Sequence, residues 1–369
     1  MCPGASVWMT LLANAGVFAH SCDTDIVPCA NQFLTMGLVF TVARLMSTML
    51  VIVSGILFDF YGGRFLGITG GGMVLSGFLL LQICILGASV GLDSITAYFL
   101  LPIVLLIDAG SVFSSQSVLS ILFHFPNIAG VILALLSATI DIAALLPVFL
   151  ECAMSFAGLQ LSSSIMVYTI GVAMGVVGFY SCCPTREEYL VQAEKVLGQK
   201  ISARTVSIFK VIKDGQRVLA QNLLDHISFI FILCSVITGF MVYCNVLCDY
   251  AVHLFHDPAA TAPLANISVS LVVFNGVVAV PCAAHIAEIY GTKVLVLSLL
   301  VSTWVGVATI LRADWYSQTI CLFVAIYLQS AVTVLSQLRA MAFASPNKFG
   351  TIQGLYALYC SCTLLFSVV

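Results

Sequence analysis

From Phe65 to Leu92 the chain carries no charged residue. A helix needs ~20 mostly apolar residues to cross the hydrocarbon core of a bilayer, so this stretch is long enough for one crossing. Comparable runs recur near 4–20, 33–58, 65–88, 96–117, 127–150, 162–182, 227–249, 266–287, 294–311, 317–340 and 349–369, which predicts eleven membrane spans. Runs of this length satisfy their backbone hydrogen bonds internally as α-helices, so an all-α membrane protein is expected. Composition agrees: 61% of residues are hydrophobic and 8% are charged, against roughly 25% charged in soluble domains. That argues against a soluble enzyme. The net charge of −3 leaves no basic footprint for a nucleic-acid partner.

The longest break, 183–226, holds seven of the thirteen Lys and Arg residues. It predicts a domain order of 1–182 as a first helical bundle, 183–226 as a central loop and 227–369 as a second bundle. Thr185 and Glu188 stand at capping-box spacing, and the apolar residues that follow suggest helical pieces on the membrane surface. If the chain starts inside, Arg64, the central basic residues, Lys293, Arg339 and Lys348 all fall on one side, leaving Arg312 opposite. Basic loops mark the cytoplasm, so the N-terminus and central loop are expected there. A plasma membrane is the first choice and an organelle membrane the second. The first run lacks a basic leader segment and reads as a span, not a cleaved signal. Asn266-Ile-Ser268 would face outside as a glycosylation acceptor, close to a span.

Most of the fourteen cysteines lie inside apolar runs, where Cys behaves as a small hydrophobe. Cys22 and Cys29 are different. They share a short polar stretch and could pair on an oxidising side. Cys182 and Cys183 end an apolar run beside charges, a setting for either palmitoylation or plain interfacial thiols.

Two short segments echo each other. Asp59-Phe-Tyr61-Gly62-Gly-Arg64 aligns with Glu288-Ile-Tyr290-Gly291-Thr-Lys293, and Pro126-Asn127-Ile-Ala-Gly130 with Pro346-Asn347-Lys-Phe-Gly350. Ahead of the second match stand Ser115-Gln116 and Ser336-Gln337. Three matches in one order at nearly one offset predict a six-span unit used twice in the same orientation. Parallel six-span halves with a solute site between them define the major facilitator design. By that count a twelfth span is expected after Val369, and a truncated chain is preferred over a degenerate relative.

The stretch from Gly55 to Arg64, GILFDFYGGR, resembles the G-x-x-x-D-x-x-G-x-R signature of major facilitator transporters after their second span. Cys29-Ala-Asn-Gln32-Phe-Leu34, Phe40-Thr41 and the segments FPNIAGVILALLSATIDIAA and SPNKFGTIQGLYAL are similar to the facilitative large neutral amino acid transporters and to apicomplexan amino acid transporters. The resemblance implies a conformational latch made by Gly55, Asp59, Gly62 and Arg64, with Asp59 meeting a helix N-terminus of the opposite bundle. Glu288, Gly291 and Lys293 would form a weaker twin, because Ala284 and Glu288 replace the expected Gly and Asp. Span four offers Asp108 and no Arg, unlike the superfamily's drug antiporters.

Charge inside a bilayer marks function by default, and Arg44, Asp108 and Asp141 each sit near midspan. Arg44 could take the carboxylate of a zwitterion in two parallel hydrogen bonds, and an Asp its ammonium. The bland alternative is an Arg44–Asp108 pair that only ties helices together. In the second half Asn275, Gln329 and Ser361 are the candidate hydrogen-bond partners at this depth, though such residues are often helix-packing contacts. His124 and His285 read as interfacial packing, and the Gly67-x-x-x-Gly71 pattern with Gly70, Gly72 and Gly77 as a close-packing face in span three. No phosphate loop and no nucleophile or metal set rises above packing, so neither an enzyme nor a cofactor is expected. The expected protein is a monomeric multi-pass transporter of a small polar solute, an amino acid first. A sugar or monocarboxylate carrier and a non-transporting nutrient receptor remain alternatives.

Overall fold

The computed structural model describes residues 3–22, 28–125, 146–197, 275–312, 314–343, 348–356 and 358, with shorter pieces between 132 and 139 and between 213 and 239. All regular structure among them is helical. The helices used below are α1 (Pro3–Asn14), α2 (Ala30–Tyr61), α3 (Gly63–Ser89), α4 (Asp93–Val118), α5 (Leu146–Ala157), α6 (Leu161–Cys182), α7 (Arg186–Leu197), α8 (Val280–Tyr290), α9 (Thr292–Ile310) and α10 (Trp315–Phe343). Among the described residues six helices are long and apolar enough to cross a membrane: α2, α3, α4, α6, α9 and α10. Shorter apolar helices occupy Leu146–Phe156, His226–Val236 and Val277–Tyr290. Of the other expected spans, 4–20 is described in full, 266–287 from Asn275 onward, and 127–150, 227–249 and 349–369 only in pieces.

The chain divides into two compact units, residues 2–124 with 145–211, and residues 125–144 with 212–369. In the first, Met9, Leu12, Val17, Met36, Phe78, Leu100 and Ile165 belong to one buried apolar cluster. Helix α3 packs between α4 and α6, and its glycines set both approaches. A Cβ on Gly70 would stand 2.7 Å from the carbonyl oxygen of Gly110 and from the backbone N of Ser114, and one on Gly77 2.5 Å from Ile107 Cγ1. On the α6 side, a Cβ on Gly67 would meet Phe179 at 2.7 Å and one on Gly71 Val176 at 2.7 Å. The glycine pattern of span three is therefore two faces, with Gly67 and Gly71 on one and Gly70 and Gly77 on the other.

Two span boundaries differ from expectation by more than three residues. Helix α1 stops at Asn14, short of the expected 20, because Gly16 and Phe18 take positive φ values of 84° and 64°. Gln32, buried on α2, then donates its amide to the carbonyls of Ala13 (3.2 Å) and Val17 (2.6 Å). Cys22 and Cys29 are disulfide-bonded within this connection, 5.9 Å apart at Cα. Helix α5 runs on to Ala157, past the expected end at 150, since no breaker precedes Gly158.

In the second unit α8, α9 and α10 pack together, with Ser298 Oγ and Tyr327 Oη hydrogen-bonded at 2.7 Å. A π-helical turn, Asn275–Ala279, leads into α8. Asp314 caps α10 by accepting the Ser317 N–H at 2.8 Å. Gln318, one turn further on, donates its amide to the carbonyls of Ile310 (3.0 Å) and Arg312 (2.8 Å).

Candidate functional site

The Asp59–Arg64 stretch turns α2 into α3 through a single non-helical residue. Gly62 caps both helices at φ 85° and ψ 175°, a region open essentially to glycine alone. Its N–H donates to the Phe58 carbonyl at 2.8 Å. The start of α7 lies directly against it: a Cβ on Gly62 would be 2.7 Å from the backbone N and 2.8 Å from the Cα of Arg186. Arg186 Nε donates to the carbonyl oxygen of Asp59 at 3.1 Å.

Arg64 closes the other side. Its backbone N–H donates to the Pro184 carbonyl at 3.1 Å, its Nε to the Cys183 carbonyl at 2.8 Å, and its guanidinium pairs with Glu188 at 3.3 Å. Glu188 also accepts the Thr185 N–H at 2.7 Å, while its own N–H donates to Thr185 Oγ1 at 3.3 Å. This is the reciprocal capping box expected from the spacing, and one carboxylate thus both starts α7 and holds Arg64. Asp59 is buried, as is Gly55. Phe58 meets Tyr189 edge-on at 5.5 Å. Burial, and then the Asp59 carboxylate, push the Tyr189 phenol well above its ordinary value, so it stays protonated throughout the working pH range. Among the described residues the N-terminus of α7, in the same unit, lies against this turn.

The second turn repeats the backbone. Gly291 links α8 to α9 at φ 83° and ψ 165°. Glu288 and Lys293 are exposed, Ala284 is buried, and no described atom lies within 4 Å of a Cβ built on Gly291.

Of the midspan candidates, Arg44 lies on α2 and Asp108, half-buried, on α4, and these helices pack together. Asn275 opens the π-helical turn and Gln329 sits half-buried on α10, again on neighbouring elements. Asp141 and Ser361 lie outside the described residues. Cys182 is exposed and Cys183 buried, and burial pushes the Cys183 thiol up. Among the described residues no group of His, Cys, Asp and Glu side chains could hold a metal ion.

A polar cluster in the second unit escaped sequence reading. His226 Nδ1 and Tyr356 Oη are hydrogen-bonded at 2.7 Å, both buried. Phe229 packs edge-on against Tyr356 at 5.2 Å, and Arg339 lies 4.8 Å over the Phe229 ring. The only sequence trace is a His three residues ahead of a Phe at the mouth of an apolar run.

No protein-family model matches the sequence, and no curated protein does. Solved structures do. A proton:xylose symporter bound to 6-bromo-6-deoxy-D-glucose is similar over 99% of this chain and 84% of its own, with a TM-score of 0.66 at 14% identity. A bacterial homologue of the iron transporter ferroportin in an outward-facing state matches over 99% and 87%, with a TM-score of 0.63 at 12% identity. A human organic anion transporter matches over 100% and 88%, with a TM-score of 0.57 at 12% identity. The chain has the major facilitator fold. In that fold the two halves are parallel repeats, which accounts for two glycine turns of one conformation at Gly62 and Gly291.

Proposed function

We propose that the chain is a multi-pass membrane transporter that moves a small polar solute, an amino acid, by alternating access. The observation that carries this reading is the major facilitator fold built from apolar spans with an ionisable residue, Asp108, inside one of them. A carboxylate inside a span is costly and marks a solute or ion path by default. Arg44, Asp108 and Asp141 supply one cation and two carboxylates, enough to meet both ends of a zwitterion. Asn275, Gln329 and Ser361 would add hydrogen bonds from the second half. The amino acid branch rests on the motifs around Cys29–Arg64 and the two Pro-Asn segments. The similar solved structures are, by their own descriptions, a proton:xylose symporter, a homologue of an iron transporter and an organic anion transporter, so the fold by itself does not choose among solutes. A sugar is the second reading, favoured by the symporter of highest TM-score among those three. The protein acts as a monomer in the plasma membrane, with its N-terminus and central segment in the cytoplasm.

The Asp59–Arg64 turn is a latch in this scheme and not the place where solute binds. The test is uptake of radiolabelled amino acids, sugars and monocarboxylates into liposomes holding the purified chain. Uptake of a neutral amino acid, lost in Asp141→Ala and Arg44→Ala and slowed with near-normal binding in Asp59→Ala, is the expected outcome. Amino acid uptake indifferent to the first two changes sinks the site, uptake of a sugar alone sinks the solute class, and binding without uptake makes the chain a receptor.

A further inference from the structure

Span five ends later than expected, and that moves one charge from a loop into a membrane helix. With the boundary at 150, Glu151 would follow the span; α5 instead runs on to Ala157, and Glu151 is its sixth residue. At ~1.5 Å per residue its Cα lies about 9 Å below the last residue of the helix. The turn beyond is only Gly158 to Gln160, and α6 qualifies as a membrane span from Leu161 onward.

The faces of α5 are distinct. Leu150 belongs to the buried apolar cluster of the first unit, and Leu146 and Met154 pack against it. Phe149 and Phe156 are 56% and 92% exposed, as suits side chains that meet lipid. Glu151 and Ser155 are exposed too, but on another side. Each residue turns a helix by about 100°, so Glu151 stands about 160° from Phe149 and about 140° from Phe156. Ser155 follows one turn on, about 40° away. A carboxylate turned towards hydrocarbon is costly, and ionisable residues inside spans face the bundle interior or a water-filled cavity. Glu151 is off the core face and off the aromatic face, which fits the cavity.

We propose that Glu151 lines a water-filled entrance to the solute path and draws in the cationic end of the entering solute, the ammonium group of an amino acid. This rests on the transport reading above, in which Asp141 stands ten positions earlier in the same span. On the orientation read from the basic residues, the C-terminal end of span five is the outer one. A carboxylate in a cleft with low-dielectric walls raises the local concentration of cations. Glu151 is thus a positioning residue for solute entry, ahead of the midspan site.

Charged thiol reagents test this on the full chain in lipid nanodiscs, with no solute present. Ser155→Cys is expected to react about tenfold faster with a cationic methanethiosulfonate than with an anionic one, since a carboxylate one helical turn away attracts the first and repels the second. Adding Glu151→Gln should bring the two rates together. Phe149→Cys, on the aromatic face, is expected to react more slowly with either reagent. Rates are read position by position by peptide mass spectrometry, which separates them from the native thiols. A Ser155→Cys chain that reacts no faster than Phe149→Cys, or that is indifferent to Glu151→Gln, overturns the proposal. Should Ser155→Cys fail to insert, Glu151→Cys against Phe149→Cys decides the same point. In uptake, Glu151→Gln is expected to raise KM for a neutral amino acid several-fold with kcat nearly kept, and an unchanged KM overturns the entry role. Labelling as expected in a chain that carries no amino acid would overturn the transport reading and the ammonium with it; labelling lost while uptake persists overturns this proposal alone.

Discussion

At Gly62 the chain passes from α2 into α3 with φ 85° and ψ 175°, and at Gly291 from α8 into α9 with φ 83° and ψ 165°. The backbone is the same, but the surroundings are not. Around Gly62 stand the first residue of α7, the buried Asp59 and the Arg64–Glu188 pair. Around Gly291 no described atom comes within 4 Å of a Cβ, and Glu288 and Lys293 are exposed. Gly62 is thus required twice, once by its dihedral angles and once by the backbone laid against it. Among the described residues Gly291 is required once, by its dihedral angles. The sharpest way to break this contrast is to add one methyl group at each turn. Gly62→Ala must both occupy a glycine-only region, at ~1–3 kcal/mol, and push against the Arg186 backbone, for a further ~1–3 kcal/mol. Gly291→Ala faces only the first cost. Thermal unfolding in detergent should show Gly62→Ala destabilised by roughly twice as much, or failing to accumulate. Equal losses at the two sites would mean that α7 does not clamp the first turn.

The same asymmetry runs into the helices that follow the turns. On α3, Gly70 meets the backbone of α4 at distances no side chain tolerates, 2.7 Å to both Gly110 O and Ser114 N. On α9, a Cβ at Gly306 would approach only a methyl group, Val324 Cγ1, at 3.2 Å. Gly70→Ala should therefore cost ~2–3 kcal/mol through forced helix separation. Gly306→Ala should come out near zero, since a small adjustment of Val324 is offset by the ~1 kcal/mol that Ala gains over Gly in a helix. Melting temperatures of the two variants give the comparison, and a loss at Gly306 matching that at Gly70 would erase it.

Much of this was legible in the chain. Charge-free runs locate spans because a bilayer tolerates little else, and Thr185 with Glu188 announces a helix start because both hydrogen bonds are local. The two glycine turns were visible as an echo because their backbone demand repeats. What escaped reading is what depends on distant partners. Arg186 reaches Asp59 from 127 positions away, and nothing in GILFDFYGGR says which helix will lie on Gly62. Helix α1 looked longer than it is, because the Gln32 amide that takes the carbonyls of Ala13 and Val17 belongs to the next helix. The charges Arg44 and Asp108 declare themselves, whereas the His226–Tyr356 pair joins two runs 130 positions apart and leaves no periodic signal.

At the other ends of these helices the balance between the halves reverses. Helix α4 starts after Leu92, which offers no side-chain cap, while its repeat partner α10 starts after Asp314, whose carboxylate accepts the Ser317 N–H at 2.8 Å. That bond, from the backbone of Ser317 first and its side chain second, holds the Asp314 carboxyl below its ordinary value. A depressed pKa in the folded state contributes stability that is present above the unfolded-state value of ~3.9 and is lost as pH falls through the folded value. Because Asp314 is fully exposed, water and salt screen the effect, and it is the smallest predicted here. Melting temperature followed from pH 7 down to about 3 should fall slightly less for Asp314→Asn than for the parent, since Asn caps without titrating. At pH 7 the two should nearly coincide. A parent and variant with parallel curves would show that the cap at α10 carries no charge-dependent share.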